Sequence, residues 1–342
     1  MQNYEPKVVS TFSGAGGSSL GYKLAGCKVL CAVDMVSKAS DTYALNFPDT
    51  PIIKKDIRQV TGAEILGLIG LKVGELDILD GSPPCASYSS IGKGKKNWNK
   101  PHKYSGSYMQ RTDDLIDQQI RLIREIQPKC FVMENVKGMT RGMAKDVLNN
   151  YLIKLTHAGY EVRAEVLDAS YFECATKRER LFIIGFRKDL KISPSLPKPI
   201  SKRISFRDAT AGLKIPKDEI DEAVLHGAKM GKMIEVIETI RPYKDGSDHD
   251  KNGNFWSYKS AISEMPLMTL TTHIELRHPT KKRFLTISEL KACSSLPMDF
   301  KLIGSYANRW ERIGRMVPPN LMKHIAKHVS SLLLSSKITS KI

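Results

Sequence analysis

In LDILDGSPPCASYSSIGKGKK, residues 76 to 96, a single cysteine, Cys85, follows Pro83 and Pro84 at the end of an apolar run and leads into a lysine-rich stretch. Proline fixes its own φ, so two in succession leave the thiol little freedom to wander. Nearby positive charge lowers a thiol's pKa and raises its thiolate fraction. Together these predict a nucleophile held ready for covalent catalysis. A lone cysteine more often fills a core, but the loop position, the stiff approach and the cationic sequel all oppose that role here. Two further stretches carry charge to strand ends. CFVMENV ends on Glu134 and Asn135, a carboxyl group for proton handling or, alternatively, a helix cap. TKRERLFIIG sets Arg178 and Arg180 two apart at the start of a strand, a spacing that turns both to one side. Paired guanidinium groups grip phosphate or a polar base edge, although a solvated basic strand end would look the same.

A second set of residues suits a nucleotide-like ligand. The glycines of TFSGAGGSSLG (Gly14, Gly16, Gly17 and Gly21) come directly after an apolar strand and open a helix, where α/β sheets bind ligands. The spacing is not GxGxxG, which disfavours a dinucleotide site, and a tight strand-to-helix turn would need the same glycines. Asp34 ends the second strand, where a carboxylate can accept from ribose hydroxyls, and Asp56 ends the third.

These residues need a scaffold that brings strand ends to one edge. From residue 8 to about 186 the runs VVSTF, VLCAVDM, PIIKKDI, LDILDG, CFVMENV and RLFIIGF alternate with longer amphipathic stretches, and YEVRAEVLDA alternates like a further strand. That rhythm predicts a doubly wound, mostly parallel α/β sheet with helices on both faces. DDLIDQQIRLIREI (113 to 126) places Leu115, Ile116, Ile120, Ile123 and Ile126 near helical spacing and stops at Gln127-Pro128. After about residue 188 the texture turns to Pro, Ser and Lys, which predicts a second, smaller domain, and Pro318-Pro319 suits the start of a last helix.

Composition narrows the partners. The 342 residues carry 53 Lys and Arg against 36 Asp and Glu, a net charge of +17 that favours a polyanion. No run of eighteen apolar residues spans a bilayer and MQNYEPK has no apolar signal core, so the expected location is the cytoplasm, with nucleoid association when bound to DNA. The six cysteines form no CxxC pair, which argues against a disulfide framework.

In order along the chain, FSGAGG, Asp34-Met35, Asp56-Ile57, GSPPC, ENV, Arg178-Glu179-Arg180, RFLTISEL and IGRMVPP resemble the motifs of the DNA (cytosine-5)-methyltransferases of prokaryotic or phage, restriction-modification type. The resemblance covers nearly all the chain except about 190 to 265. It implies a Rossmann-like catalytic and cofactor-binding domain over 1–188, a target-recognition domain over 189–307 that includes RFLTISEL, and a tail over 308–342 that packs back on the first. The implied reaction adds the Cys85 thiolate to C6 of a flipped-out cytosine, with Pro84 stiffening the approach. Glu134 then holds N3 and the exocyclic amine while C5 takes a methyl group from S-adenosylmethionine, leaving S-adenosylhomocysteine. Arg180 and Arg178 would lie near the base O2 and its phosphates. The cofactor would meet Phe12, Ser13, Gly14, Ala15, Gly16 and Gly17, with Asp34 on the ribose, Met35 on the adenine face, Asp56 and Ile57 near the adenine edge, and Leu115 and Val317 alongside. Lys93, Lys95 and Lys96 would close over DNA phosphates, and Ile91 would fill the hole left by the extruded base. No metal is implied. The expected partner is double-stranded DNA, with a cognate restriction endonuclease as a functional rather than physical companion, no membrane, and a monomeric enzyme.

The sequence departs from the family pattern at Ala86 and Thr176, where Gln is usual, and at Arg312 and Arg315, where Gln and Asn are common. DHDKNG (248 to 253) imitates the start of a calcium loop, but its twelfth position is Lys259, and a turn is expected. His324 and His328, one helical turn apart, lack an acidic or cysteine partner nearby and are read as a helix face. A tRNA cytosine methyltransferase would use the same Cys85 chemistry, and a non-catalytic DNA-binding regulator would need only the charge. The length and place of 190–283, with Trp256 and Tyr258, favour DNA over tRNA, and an intact Cys85, Glu134 and Arg180 set favours an enzyme over a regulator.

Overall fold

The computed structural model describes residues 4–84, 102–104, 108–110, 112, 114–200, 202–229, 261–270, 276–281 and 283–339. The chain divides into two compact units, one comprising Met1–Leu167, Glu179–Lys198 and Met322–Ile342, the other Asp168–Arg178 and Pro199–Leu321.

The first unit is built on a seven-stranded sheet. Its strands are β1 (Lys7–Thr11), β2 (Lys28–Val33), β3 (Ile52–Ile53), β4 (Ile78–Gly81), β7 (Cys130–Val136), β8 (Tyr160–Asp168) and β9 (Glu179–Arg187), ordered β3-β2-β1-β4-β7-β9-β8. A separate antiparallel hairpin pairs β5 (His102–Tyr104) with β6 (Tyr108–Gln110). Neighbours from β3 across to β7 run parallel, while β9 is antiparallel to β7. Strands buried on both faces favour apolar residues, which is why CFVM reads as an unbroken hydrophobic run, while the buried Ser10 and Thr11 of β1 satisfy their hydroxyls on Asp80.

Helices α1 (Gly17–Leu24), α2 (Ser37–Asn46), α3 (Gly62–Ile69), α4 (Leu115–Ile126) and α5 (Met143–His157) connect these strands. On α4, Leu115, Ile116, Ile120, Ile123 and Ile126 are all buried, and they join Val9, Leu79, Phe131 and Met133 in one core cluster. Each such side chain contributes roughly 1.5–3 kcal/mol by leaving water. The helix stops as its sequence demands: Gln127 turns left-handed at φ 51, and Pro128 follows.

Chain order reverses between β1 and β4, since β2 and β3 lie to one side and β7 to the other. A crevice forms at such a switch point, outside the carboxyl ends of the strands. The antiparallel β9 delivers its amino end, Glu179-Arg180, to that same edge.

The second unit contains α6 (Phe206–Thr210), α7 (Lys217–Lys229), α8 (Ile287–Cys293) and α9 (Tyr306–Arg315); the last helix, α10 (Pro319–Thr339), begins at the anticipated proline and from Met322 onward belongs to the first unit. No helix among the described residues is long and apolar enough to cross a membrane.

Candidate active site

At the end of β1 the backbone turns twice through the left-handed region, at Phe12 (φ 51) and Gly14 (φ 55), and again at Gly16 (φ 99). A non-glycine residue at positive φ is strained, and such strain collects at ligand sites. The turn is held down by Ser13, whose N–H donates to the Val33 carbonyl at 3.1 Å. Gly16 is required twice over, because a Cβ there would lie 2.3 Å from Cε2 of Phe47. A Cβ on Gly14 would meet nothing within 4 Å, so the backbone borders open space at the switch point. Ala15 is buried behind it and Gly17 begins α1.

Asp34 pins two loops at once: its carboxylate accepts from the Gly14 N–H and from the Val36 N–H, each at 2.8 Å. Met35 beside it is half-buried. Asp56 starts a single 3-10 turn, Ile57–Gln59, and accepts from the Arg58 N–H at 3.0 Å. Ile57 and Leu115 are buried in the same core cluster. Open space beside a glycine backbone, two strand-end carboxylates and two apolar side chains suit a ligand with an anionic or carboxylate end, a ribose and a flat base. S-adenosylmethionine fits that set, its ribose hydroxyls and amine N–H groups donating to the carboxylates.

The second half of the site lies at the ends of β4, β7 and β9. Arg180 pairs with Glu134 at 3.0 Å, the two side chains being only 15% and 12% exposed. Register explains the meeting, since Glu134 faces Phe182 and Val136 faces Arg180, making the pair diagonal neighbours across the ladder. A partly buried ion pair is a weak source of stability but a frequent feature of catalytic sites. Asn135 points the other way and is buried; its amide donates to the Pro83 carbonyl at 3.3 Å and its Oδ1 accepts from the Val136 N–H at 2.8 Å. Strand β7 therefore grips the turn that carries Pro83 and Pro84.

Cys85 lies outside the described residues, as do Ile91, Lys93, Lys95, Lys96, Trp256, Tyr258 and DHDKNG. The five cysteines within them are all buried, and none is in a disulfide. Burial pushes up the thiols of Cys27, Cys31 and Cys130, that of Cys31 to about 12, and does the same to Cys293. A thiol kept protonated is a poor nucleophile.

The two arginines of TKRERLF take different partners. Arg178 precedes β9, so strand alternation does not govern it, and its buried guanidinium donates to the carbonyls of Gly314 at 2.7 Å and Arg315 at 3.4 Å. There it fixes the carboxyl end of α9 within the second unit. Val317, just after α9, is buried in that unit. Arg315 is paired with Glu311 at 2.9 Å, and His328 shares a hydrogen bond with Ser195 at 2.9 Å.

Sequence reasoning missed Asp80, Arg58 and Asp114. Asp80 sits beneath the glycine turn, 1% exposed, accepting from Ser10 at 2.9 Å and Tyr22 at 3.3 Å. Arg58 joins Asp56 to Asp114. The signal for Asp80 was an acid inside an apolar run; for Arg58 and Asp114 there was none.

Comparison with known proteins adds an independent line. The model of the family described as C-5 cytosine-specific DNA methylase matches residues 6–331. Type II methyltransferase M1.HphI of Haemophilus parahaemolyticus is 28% identical over 333 residues, covering 94% of this chain and 86% of its own. Type II methyltransferase M.AquIA of Picosynechococcus sp. is 32% identical over 281 residues, covering 80% and 94%. Among solved structures, a candidate DNA modification methyltransferase encoded within a prophage of E. coli superposes with TM-score 0.73 at 22% identity, covering 96% of this chain and all of that one, a likeness of fold.

Proposed function

The chain belongs to the C-5 cytosine-specific DNA methylase family, and from that premise we propose how its own residues carry methyl transfer to cytosine in duplex DNA. C5 of cytosine is a poor nucleophile until a group adds at C6. Cys85 supplies that group: its thiolate forms the S–C6 bond while Glu134, entering the step as the neutral acid, gives its proton to N3 and accepts from the exocyclic amine, so that the negative charge ends on the carboxylate beside Arg180. Bound S-adenosylmethionine supplies the methyl group as a sulfonium electrophile. Loss of the C5 proton to a base then re-forms the C5–C6 double bond and expels the Cys85 thiolate. Arg180 holds Glu134 in place and offers its remaining N–H groups to the base O2. Asn135, through Pro83, keeps the cysteine's turn against the strand that bears Glu134. Both ring faces must be reached, so the cytosine leaves the helix, at an unstacking cost of roughly a few kcal/mol.

Phe12 to Gly17, Asp34, Met35, Asp56, Ile57, Leu115 and Val317 are the cofactor contacts of this reading. Ile91, Lys93, Lys95 and Lys96 meet DNA, and Arg178 acts by fixing α9. A companion restriction endonuclease and a monomeric state complete it. The observation that carries the reading is the Glu134–Arg180 pair at the strand edge whose neighbouring turn, held by Asn135, leads into Cys85.

Incubation with labelled S-adenosylmethionine and either duplex DNA or tRNA tests it. The wild type should label DNA at C5, and Cys85→Ser should lose at least about a thousandfold in rate while still binding S-adenosylhomocysteine. Duplex DNA containing 5-fluorocytosine should trap a covalent complex through Cys85. Normal turnover by Cys85→Ser, or label in tRNA alone, would overturn the assignment.

A further inference from the structure

Asp114 occupies the N-cap position of α4, where an aspartate side chain normally accepts from the helix's first free N–H groups and contributes about 1 kcal/mol. It makes no such bond. Its carboxylate is turned instead to Arg58, which meets it fork to fork, Nε to Oδ2 at 2.8 Å and Nη2 to Oδ1 at 2.6 Å. The same guanidinium uses Nη1 on both oxygens of Asp56, at 3.2 and 2.9 Å. One planar cation thus ties the 3-10 turn after β3 to the mouth of α4, across 56 residues of sequence. Arg121, on α4, repeats the tie from the other side by donating to the carbonyls of Ile57 and Val60, each at 2.9 Å.

Ile57 follows Asp56 directly and Leu115 follows Asp114, so the clamp fixes both apolar side chains along with the carboxylate between them. Two aspartates share one arginine, and Asp56, which accepts from Arg58 at both oxygens, keeps spare acceptor capacity. A surface ion pair with no further role would give little stability, and would not justify giving up a helix cap.

We infer that Arg58 is a positioning residue of the cofactor site: by clamping Asp56 to Asp114 it holds Asp56, Ile57 and Leu115 in one arrangement before the adenine end of the cofactor arrives. This rests on the reading that those three residues meet the cofactor. Preorganisation of this kind lowers the cost of binding rather than the barrier to reaction.

The test uses the full chain, with Arg58→Met, Arg58→Lys and Asp114→Asn, read by calorimetric binding of S-adenosylhomocysteine and by KM and kcat at saturating DNA. Arg58→Met should weaken binding at least about tenfold and raise KM for S-adenosylmethionine in parallel, with kcat changed less than about twofold. Lysine keeps the charge but not the fork, so Arg58→Lys should recover only part of the affinity. Asp114→Asn, never touching the cofactor, should weaken binding in the same direction. Wild-type affinity in Arg58→Met, or a fall in kcat without a change in KM, overturns the inference. Should Arg58→Met fail to fold, Asp114→Asn decides on the same scale, and wild-type affinity there overturns it. A wild-type protein that binds no S-adenosylhomocysteine sinks the cofactor assignment itself and this inference with it.

Discussion

Asp80 stands in the middle of β4, where packing on both faces of a parallel sheet favours an aliphatic side chain. Burial raises its carboxyl to about 7, against the hydrogen bonds from Ser10 and Tyr22 that pull it down and with a smaller push from the Glu134 charge. The folded protein therefore keeps this proton up to about pH 7, whereas the unfolded chain releases it near pH 4. Stability from the neutral form is complete below about pH 4 and is lost as pH rises towards 7. Asp80→Asn, neutral throughout, should remove that slope, gaining on the order of 4 kcal/mol relative to wild type between pH 4 and pH 8. Urea unfolding of both proteins across that range checks it, and parallel profiles would refute it. Cys85, Glu134 and Arg180 could be singled out as candidates from residue type and place alone, because each is a polar group at one end of an apolar run, and the structure brings Glu134 and Arg180 together. Asp80 also interrupts such a run, but the string LDILDG does not say that buried Asp77 meets Lys129 at 2.7 Å while buried Asp80 takes the hydroxyls of Ser10 and Tyr22. The Arg58–Asp114 pairing depends on two segments meeting in space, which no local pattern encodes.

Strands β1, β2, β4, β7, β8 and β9 all coincide with the runs singled out from sequence to within two residues at either end, and the central parallel strands, buried on both faces, leave the clearest apolar signal. β3 shrinks to Ile52–Ile53, because Lys54 and Lys55 end the run, and the hairpin of β5 and β6 had no alternation to reveal it. The order of strands and the reversed direction of β9 lay beyond periodicity altogether. In the second unit, RFLTISEL resolves into a mechanical device. Thr286 and Glu289 form a capping box at the start of α8, and the same Glu289 carboxylate receives Arg283 at 2.8 and 2.7 Å. His278 completes the cluster: burial lowers it to about 4, so it is neutral, and Nδ1 accepts from the N–H groups of Thr280 and Lys281. The proton then resides on Nε2, 3.4 Å from Glu289. Arg283 and Glu289 are 3% and 2% exposed, so removing one charge strands the other in a low dielectric. Glu289→Gln should cost the second unit about 3–5 kcal/mol, measured by denaturant unfolding. A cost below about 1 kcal/mol would show that the pair is not sequestered.

The division of the chain shows why composition alone marks domains imperfectly. Spatial contacts place Asp168–Arg178, which precedes the change of texture near residue 188, with the second unit. That segment bonds to partners some ninety positions on: Lys177 N–H to the Leu267 carbonyl at 2.6 Å, and Leu267 N–H to the Ala175 carbonyl at 2.8 Å. The excess of positive charge, in contrast, is a property of the full sequence and needs no fold to be read. A net charge of +17 on a DNA methyltransferase means that phosphate contacts release counterions, so binding must weaken as salt rises. Affinity for duplex DNA should fall at least about a hundredfold between about 50 and 200 mM salt. If Lys93, Lys95 and Lys96 each neutralise one phosphate, replacing all three by Ala should reduce the slope of log affinity against log salt by about 2.7, at about 0.9 per contact. Binding of S-adenosylhomocysteine should not change, because the lost interactions are with phosphate alone. Filter binding or fluorescence anisotropy over a salt series gives both slopes. Identical slopes would mean that the lysines after Cys85 never touch the backbone, and that the charge which makes this molecule a DNA-binding protein acts from another face.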